Sequence, residues 1–249
     1  MRPLLLGVVC LSNACQTLSE RRVEFISYGH LSLSAETLPV WDDTCLQKVR
    51  ALSHWAVSLA LQRDRILDVP EWVSGHRYAL TAACETFSPE LLILEVPLSD
   101  TVFYPGDTLA RAAWQNALQA WILDELLPTI STYPSLVRIA WGKGFTYLGL
   151  PERFWEALLQ AARRAAPLIQ WGFVSDKPTA VPLYPQWDFI GIFVTADTTS
   201  EKTTFAQAVP KPVLYFLRDK EFSLHKLPPA DSLLGVVFYS ESYRPTTCL

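Results

Sequence analysis

The chain has 249 residues, half of them apolar, with a formal net charge of −4 and a pI near 5.6. This is enough apolar material for one sizeable hydrophobic core, and (β/α)8 barrels commonly reach this length as a single domain. The lack of a basic surplus argues against a partner that is a nucleic acid. No residue pattern requires a cofactor, and none is expected.

The N-terminus resembles a short secretory signal. An Arg precedes an apolar run over residues 3–11, which is too short to span a bilayer. The stretch LSNAC, residues 11–15, is a loose version of a lipoprotein processing site in which Cys15 would carry the lipid, although its Ser and Asn depart from the usual pattern. The alternative is an uncleaved, partly buried N-terminal segment.

Two parts of the chain are therefore expected. Residues 1–21 form a signal- or lipoprotein-like segment, and residues 22–249 form one domain. This predicts export to the cell envelope, in the periplasm or as an outer-membrane lipoprotein, with a lipid anchor as the contact to the membrane.

Short apolar runs recur along the domain, and a helical or turn-rich stretch follows each of them. Near-continuous apolar runs are typical of parallel strands that are covered on both faces. The runs cover residues 23–29, 55–61, 91–97, 136–142, 168–175, 188–194, 212–217 and 233–240. Eight such units predict a single (β/α)8 TIM barrel whose later, Pro-rich units are irregular. A doubly wound open sheet is the alternative, but the first run lacks a Gly-rich turn after it.

Helix signals agree with this order. A long helix is predicted over residues 107–127, and another begins at Pro151 and Glu152 and ends near Arg163 and Arg164. A barrel of this kind places its working groups at the C-terminal ends of its strands. Polar and aromatic residues assigned to those ends or their loops include Tyr28, Glu95, Trp141, Lys143, Asp176, Trp187, Asp219, Glu241 and Tyr243.

About half of the chain, residues 91–217, resembles the glycoside hydrolase clan of (β/α)8 barrels, closest to family 113, the endo-β-mannanases. The matching segments are ARAAWQNALQAWI, IAWGKGF, LPERFWEALLQAARRA, WDFIGIFV and KPVLYFL. In the family pattern the fourth strand ends in Gly-x-Glu and the seventh strand ends in Glu. The resemblance implies a glycosidase-like barrel.

Both catalytic positions depart from that family. Retaining glycosidases need two carboxylates about 5–5.5 Å apart. The resemblance places the acid/base at Lys143 or Gly144 and the nucleophile at Leu217 or Arg218, and none of these is a carboxylate. A Lys is a cation near neutral pH unless it is strongly desolvated. The sequence therefore predicts a barrel without the catalytic pair.

Glu95 is one of two strongest candidates for a substitute carboxylate. It lies within the apolar run LILEVP, and burial there would raise its pKa and suit a general acid. The alternative is a core carboxylate paired with Lys143 or Arg138. Glu241 is the other candidate, and it could instead pair with Arg244 on the surface.

We therefore expect a non-catalytic barrel that binds a glycan or an envelope protein. Candidate binding residues are Tyr28, Trp141, Lys143, Asp176, Trp187 and Tyr243, although the aromatic residues among them could equally be core. One alternative is an active glycosidase that uses Glu95 with Glu241 or Asp219. Another is a purely structural subunit of an envelope assembly.

Other site patterns are not supported. No Gly-x-Ser-x-Gly elbow is present, and the histidines form no His-x-x-x-His pair. After Cys15, the cysteines at 45, 84 and 248 are too far apart for a metal cluster and favour buried free thiols. No metal site is expected.

Overall fold

The chain forms a closed barrel of eight parallel strands in sequential order. The computed structural model describes residues 26–33, 53–61, 69–97, 108–142, 144–175, 186–194, 210–217, 227 and 232–239. Every neighbouring pair is parallel, including β8 with β1. This confirms the predicted (β/α)8 architecture and excludes the open sheet.

The strands are β1 Ile26–Leu33, β2 His54–Ala60, β3 Leu91–Glu95, β4 Arg138–Trp141, β5 Gln170–Ser175, β6 Phe189–Val194, β7 Val213–Leu217 and β8 Leu233–Phe238. The α-helices are α1 Val69–Phe87, α2 Thr108–Ala120, α3 Leu127–Ile130 and α4 Glu152–Ala165. A π-helical turn, Trp121–Leu126, joins α2 to α3, and a 3-10 turn, Phe145–Tyr147, follows β4. No helix in these ranges is long and apolar enough to cross a membrane.

The first strand ends later than its apolar run. The predicted run covered residues 23–29, whereas β1 continues to Leu33 and pairs with β2 from Tyr28 with His54 to Leu33 with Leu59. Two polar residues, His30 and Ser32, alternate with leucines in its second half, which hid the strand from an apolar-run criterion. Tyr28 therefore lies towards the N-terminal end of the barrel.

Side chains that face the barrel interior form groups of four from alternate strands, as is usual for this fold. From the N-terminal to the C-terminal end the groups are His54, Arg138, Phe189 and Gly235; Tyr28, Leu91, Gly172 and Leu214; Ala56, Ala140, Gly191 and Val237; His30, Ile93, Val174 and Phe216; and Ser58, Gly142, Phe193 and Tyr239. Most of the apolar members form one buried cluster. Ser32 and Glu95 follow as the next inward positions on β1 and β3. The interior is thus filled by side chains and becomes more polar towards its C-terminal end.

The outer layer is a second apolar core between the strands and the helices. Helix α4 shows why it packs there. Phe154, Trp155, Leu158, Leu159 and Ala162 recur at helical spacing and are buried, while Pro151 precedes the helix in an extended conformation. The cations of its last turn suit the negative end of the helix dipole.

The long helix contains a π-turn for an identifiable reason. Pro128 has no backbone N–H to donate within the helix. The preceding N–H, of Leu127, donates to the carbonyl of Ile122, five residues back. The long helix predicted over residues 107–127 is present from Thr108 and continues to Ile130.

Cys84 supplies a prediction for alkaline pH. It is a free, buried thiol, and burial, with a smaller effect from the Glu85 charge, raises its pKa from 9.0 to about 12. The folded chain therefore keeps a proton that the unfolded chain loses. Its contribution to stability is present in full below pH 9 and declines as the pH rises towards 12. Urea unfolding between pH 7 and 11 should show a weaker pH dependence for Cys84→Ala, and equal pH dependence would contradict this assignment.

Candidate functional site

Glu95 lies inside the barrel at its C-terminal end. It is the last residue of β3, and its side chain is almost fully buried. The hydroxyl of Tyr239 donates to the carboxylate, at 2.8 Å from Oε1 and 3.0 Å from Oε2. Tyr239 directly follows β8, and its backbone N–H donates to the Leu217 carbonyl at 2.8 Å. The carboxylate is thus fixed by a residue from a non-neighbouring strand.

A second set of polar side chains adjoins this pair. His30 Nε2 lies 3.1 Å from Ser58 Oγ, which lies 3.2 Å from Ser32 Oγ. The His30 ring packs against the Tyr239 ring with centroids 4.5 Å apart. Hydrogen bonds and one ring contact therefore connect β1 and β2 to the Glu95 carboxylate. We call Ser32, His30, Ser58, Glu95 and Tyr239 the polar cluster.

On the opposite side of the barrel interior, at the same level along the barrel axis, the side chains are apolar. Val174, Phe193 and Phe216 are buried there on β5, β6 and β7. The Phe193 ring lies 5.1 Å from the Tyr239 ring and 5.3 Å from the Phe216 ring. The C-terminal end of the interior is therefore polar on β8, β1, β2 and β3 and apolar on the other side.

The end of β4 has no room for a side chain. A Cβ on Gly142 would lie 2.7 Å from Ile93 Cγ2 and 2.9 Å from Glu95 Cγ. Gly144 has φ +96°, and a Cβ there would overlap the carbonyl oxygen of Val96. Gly144 is one of the two positions, with Lys143, at which the resemblance to family 113 would place the acid/base carboxylate. This backbone cannot carry a carboxylate at residue 144 without moving.

Trp141 and Trp187 lie on the outside of the strands and are fully buried. Both rings contact Trp155 of α4, with centroid distances of 5.1 and 5.9 Å. Trp141 also stacks on Trp171, with centroids 6.1 Å apart. Both tryptophans therefore pack in the core between the strands and the helices. Their rings are not accessible to a ligand at the C-terminal end of the barrel.

Tyr28 was placed at the C-terminal end by the sequence, and the structure puts its hydroxyl at the opposite end. That hydroxyl lies 3.5 Å from Glu90 Oε2 and accepts from the Arg138 guanidinium at 3.1 Å. Burial raises the pKa of Tyr28. The Arg138 cation lowers this pKa in part, and the Glu90 carboxylate raises it further. Arg138 therefore does not pair with Glu95, as one alternative had it.

Several predicted residues lie outside the described part of the chain. They are the lipidation residue Cys15, the binding residues Lys143, Asp176 and Tyr243, the carboxylates Asp219 and Glu241, and the nucleophile position Arg218. Leu217, the other nucleophile position, is buried at the end of β7. Asp188 has a structural role at the start of β6, because its carboxylate accepts from the Trp171 N–H at 2.8 Å and from Arg163 at 3.0 Å.

Sequence reasoning singled out Glu95 and missed the other four members of the polar cluster. His30 and Ser32 occupy inward positions of β1, and His30 is buried. Ser58 interrupts the apolar run of β2, and a polar residue at an inward position of such a run is the signal that could have found it. Tyr239 follows the last strand and needed the closed barrel to bring it near Glu95. Among the described residues, no group of three or more His, Cys, Asp or Glu could hold a metal ion.

The Tyr239–Glu95 hydrogen bond is open to a direct test. Tyr239→Phe removes a donor from a buried carboxylate, and we expect a loss of about 1–3 kcal/mol in the free energy of unfolding. In the Glu95→Gln background, Tyr239→Phe should lower the free energy of unfolding by less, because the hydroxyl no longer donates to a charged carboxylate. Urea unfolding of both single variants and the double variant measures this coupling. Additive costs would mean that the hydroxyl and the carboxylate do not interact.

Comparison with known proteins gives only distant likenesses, all of them to solved structures. No family model matches the sequence, and no curated protein matches it. The chain is similar to the β-D-glucuronidase of Dictyoglomus thermophilum at 13% identity and a TM-score of 0.43, over 83% of this chain and 38% of that one. It is also similar to the glycosyltransferase SnogD of Streptomyces nogalater at 12% identity and a TM-score of 0.25, over 84% of this chain and 72% of that one.

The chain thus spans less than half the length of the glucuronidase that it matches. The strand order and register, and not these likenesses, establish the (β/α)8 barrel.

Proposed function

We propose that this chain is a glycosidase-like barrel that binds a glycan at the C-terminal end of the barrel without hydrolysing it. The observation that carries the proposal is the backbone at Gly144. Its φ of +96° and its closeness to the Val96 carbonyl leave no space for a carboxylate side chain at residue 144, one of the two positions where the resemblance places the acid/base. The other position is a Lys, residue 143. A retaining glycosidase cannot work with one carboxylate of its pair missing.

The environment of Glu95 supports a binding role. The carboxylate accepts a hydrogen bond from the Tyr239 hydroxyl, which lies within 3.0 Å of both of its oxygens, and it is enclosed by the barrel. A carboxylate held in this way is oriented before a ligand arrives, which lowers the entropic cost of binding. Ser32, which is only partly buried, is the most accessible member of the polar cluster.

The division of the interior also suits a sugar. A sugar ring offers hydroxyl groups along its edge and C–H groups on its faces. Ligand sites combine apolar walls with a few placed polar groups, and here Glu95 and Ser32 lie opposite Phe193 and Phe216. The chain would work at the cell envelope, held to the membrane by a lipid on Cys15.

Calorimetric titration with manno-oligosaccharides tests the binding. We expect saturable binding that Ser32→Ala and Glu95→Gln each weaken by about tenfold, the effect of losing about 1.4 kcal/mol. Arg153→Ala, on the exposed face of α4, is the matched control and should bind like the unmodified chain. Absence of binding across a panel of β-linked oligosaccharides would overturn the glycan proposal and favour an envelope protein as partner.

An active glycosidase is the second candidate, and one observation favours it. Glu95 Cγ lies 2.9 Å from the place where a Gly142 Cβ would be, so the Glu95 side chain from β3 occupies the space beside the end of β4. Glu95 would then act as acid/base with Glu241 or Asp219 as its partner. This candidate requires measurable turnover, which Glu95→Gln would abolish.

A further inference from the structure

Two exposed apolar side chains lie at the N-terminal end of the barrel, where the strands begin. Leu168, in the turn between α4 and β5, is 89% exposed, and Val137, directly before β4, is 37% exposed. The backbone N–H of Gln170 donates to the Val137 carbonyl at 2.9 Å, so the two segments are neighbours. Pro167 in the same turn is exposed as well. An exposed Leu at the tip of a turn can insert into the apolar part of a lipid layer without any change in the fold.

The chain path brings the proposed anchor to this same end. Strand β1 begins at Ile26, and Cys15 precedes it by eleven residues. A fully extended chain of that length spans at most about 40 Å. This step depends on the lipid anchor of the proposed function. A lipid on Cys15 would then keep the N-terminal end of the barrel within that distance of the bilayer.

The charge at the N-terminal end of the barrel permits this end to approach an anionic membrane surface closely. Its described ionic residues are Arg138, Arg163, Arg164 and Lys211 against Glu85, Glu90 and Asp188, a net charge of +1 from four cations and three carboxylates. The whole chain carries −4. Anionic headgroups repel acidic surfaces and attract basic ones. Among its described residues, this end therefore carries no negative excess.

We propose that the N-terminal end of the barrel rests on the membrane surface. The turn at Leu168 lies among the lipid headgroups, and the polar cluster with Glu95 faces away from the bilayer. The ligand of this surface is a lipid bilayer. Shallow insertion of one or two apolar side chains adds to the membrane binding that the lipid anchor supplies. The orientation leaves the C-terminal end of the barrel free for a large glycan.

The chain offers a matched pair of positions to test this orientation. Leu168 and Leu109 are both leucines, with 89% and 85% exposure. Leu109 lies at the start of α2, which follows β3, so it marks the C-terminal end of the barrel. Leu168→Cys and Leu109→Cys are made separately in the full chain with Cys45→Ser and Cys248→Ser, and each is labelled with an environment-sensitive fluorophore. Cys84 is buried and stays unlabelled in the folded chain.

The anchored proteins are placed on vesicles that contain lipids brominated at a known depth, and quenching is read. We expect quenching at position 168 to exceed that at position 109 severalfold. Equal quenching, or stronger quenching at 109, would overturn the orientation and leave the anchor intact. Recovery of the chain in the soluble fraction, with no acyl mass on Cys15, would overturn the anchor and this orientation together. Mass spectrometry of the Cys15 peptide separates the two failures.

Discussion

Gly144→Ala is expected to lower the free energy of unfolding by about 3 kcal/mol or more. A side chain at φ +96° is strained, and strain of this kind costs about 1–3 kcal/mol on its own. The added Cβ would also overlap the Val96 carbonyl oxygen, so the backbone after β4 or β3 must move. Thermal and urea unfolding measure the loss.

Gly149→Ala is the control for this variant. Gly149 also has a positive φ, of +59°, but no atom lies within 4 Å of the place where its Cβ would be. Its substitution should cost about 1 kcal/mol, the cost of a left-handed conformation alone. Equal costs at the two positions would show that the space at residue 144 is open. In that case the main argument against a carboxylate there would fail.

Trp155→Ala is expected to cost about 4 kcal/mol, within the range for truncating a buried Trp. Trp155 is 1% exposed, and its ring contacts the rings of Trp141, Phe173 and Trp187. Its removal leaves a cavity between α4 and the strands that rigid neighbouring rings cannot fill. Chemical denaturation followed by Trp fluorescence measures both the stability and the changed environment of the cluster.

Tyr78→Ala provides the comparison. Tyr78 is an aromatic residue of α1 and is 56% exposed. Its truncation should cost well under 1 kcal/mol, as is usual for surface changes. A cost for Trp155→Ala as small as this would mean that the aromatic cluster is loosely packed. The sugar-stacking role for Trp141 and Trp187 would then deserve a new test.

The barrel could be predicted because its strands are covered on both faces. Such strands appear as apolar runs, and eight of them in sequence leave few topologies open. The residues at which strands and helices begin and end were harder to predict. At β1 the inward residues His30 and Ser32 broke the run, and at the long helix Pro128 hid its continuation through a π-turn. In both cases tertiary contacts override a local pattern.

The candidate site was harder to predict for a geometric reason. Burial of Glu95 follows from its apolar neighbours in the sequence. Its partner Tyr239 lies 144 residues away and reaches it across the closed interior, which no local pattern encodes. Trp141 and Trp187 could not be assigned to the mouth or the core because strand alternation decides which side they face. The register places Trp141 on the outside, and Trp187, two residues before β6, also packs there against Trp155.

The most direct test of the central claim is a long incubation of the full chain with manno-oligosaccharides, read as new reducing ends. The unmodified chain, Glu95→Gln and Tyr239→Phe are compared with a blank without protein. The non-hydrolytic barrel predicts that all three remain at the blank while the unmodified chain still binds the sugar. Turnover by the unmodified chain that Glu95→Gln abolishes would contradict that claim and establish Glu95 as a catalytic carboxylate.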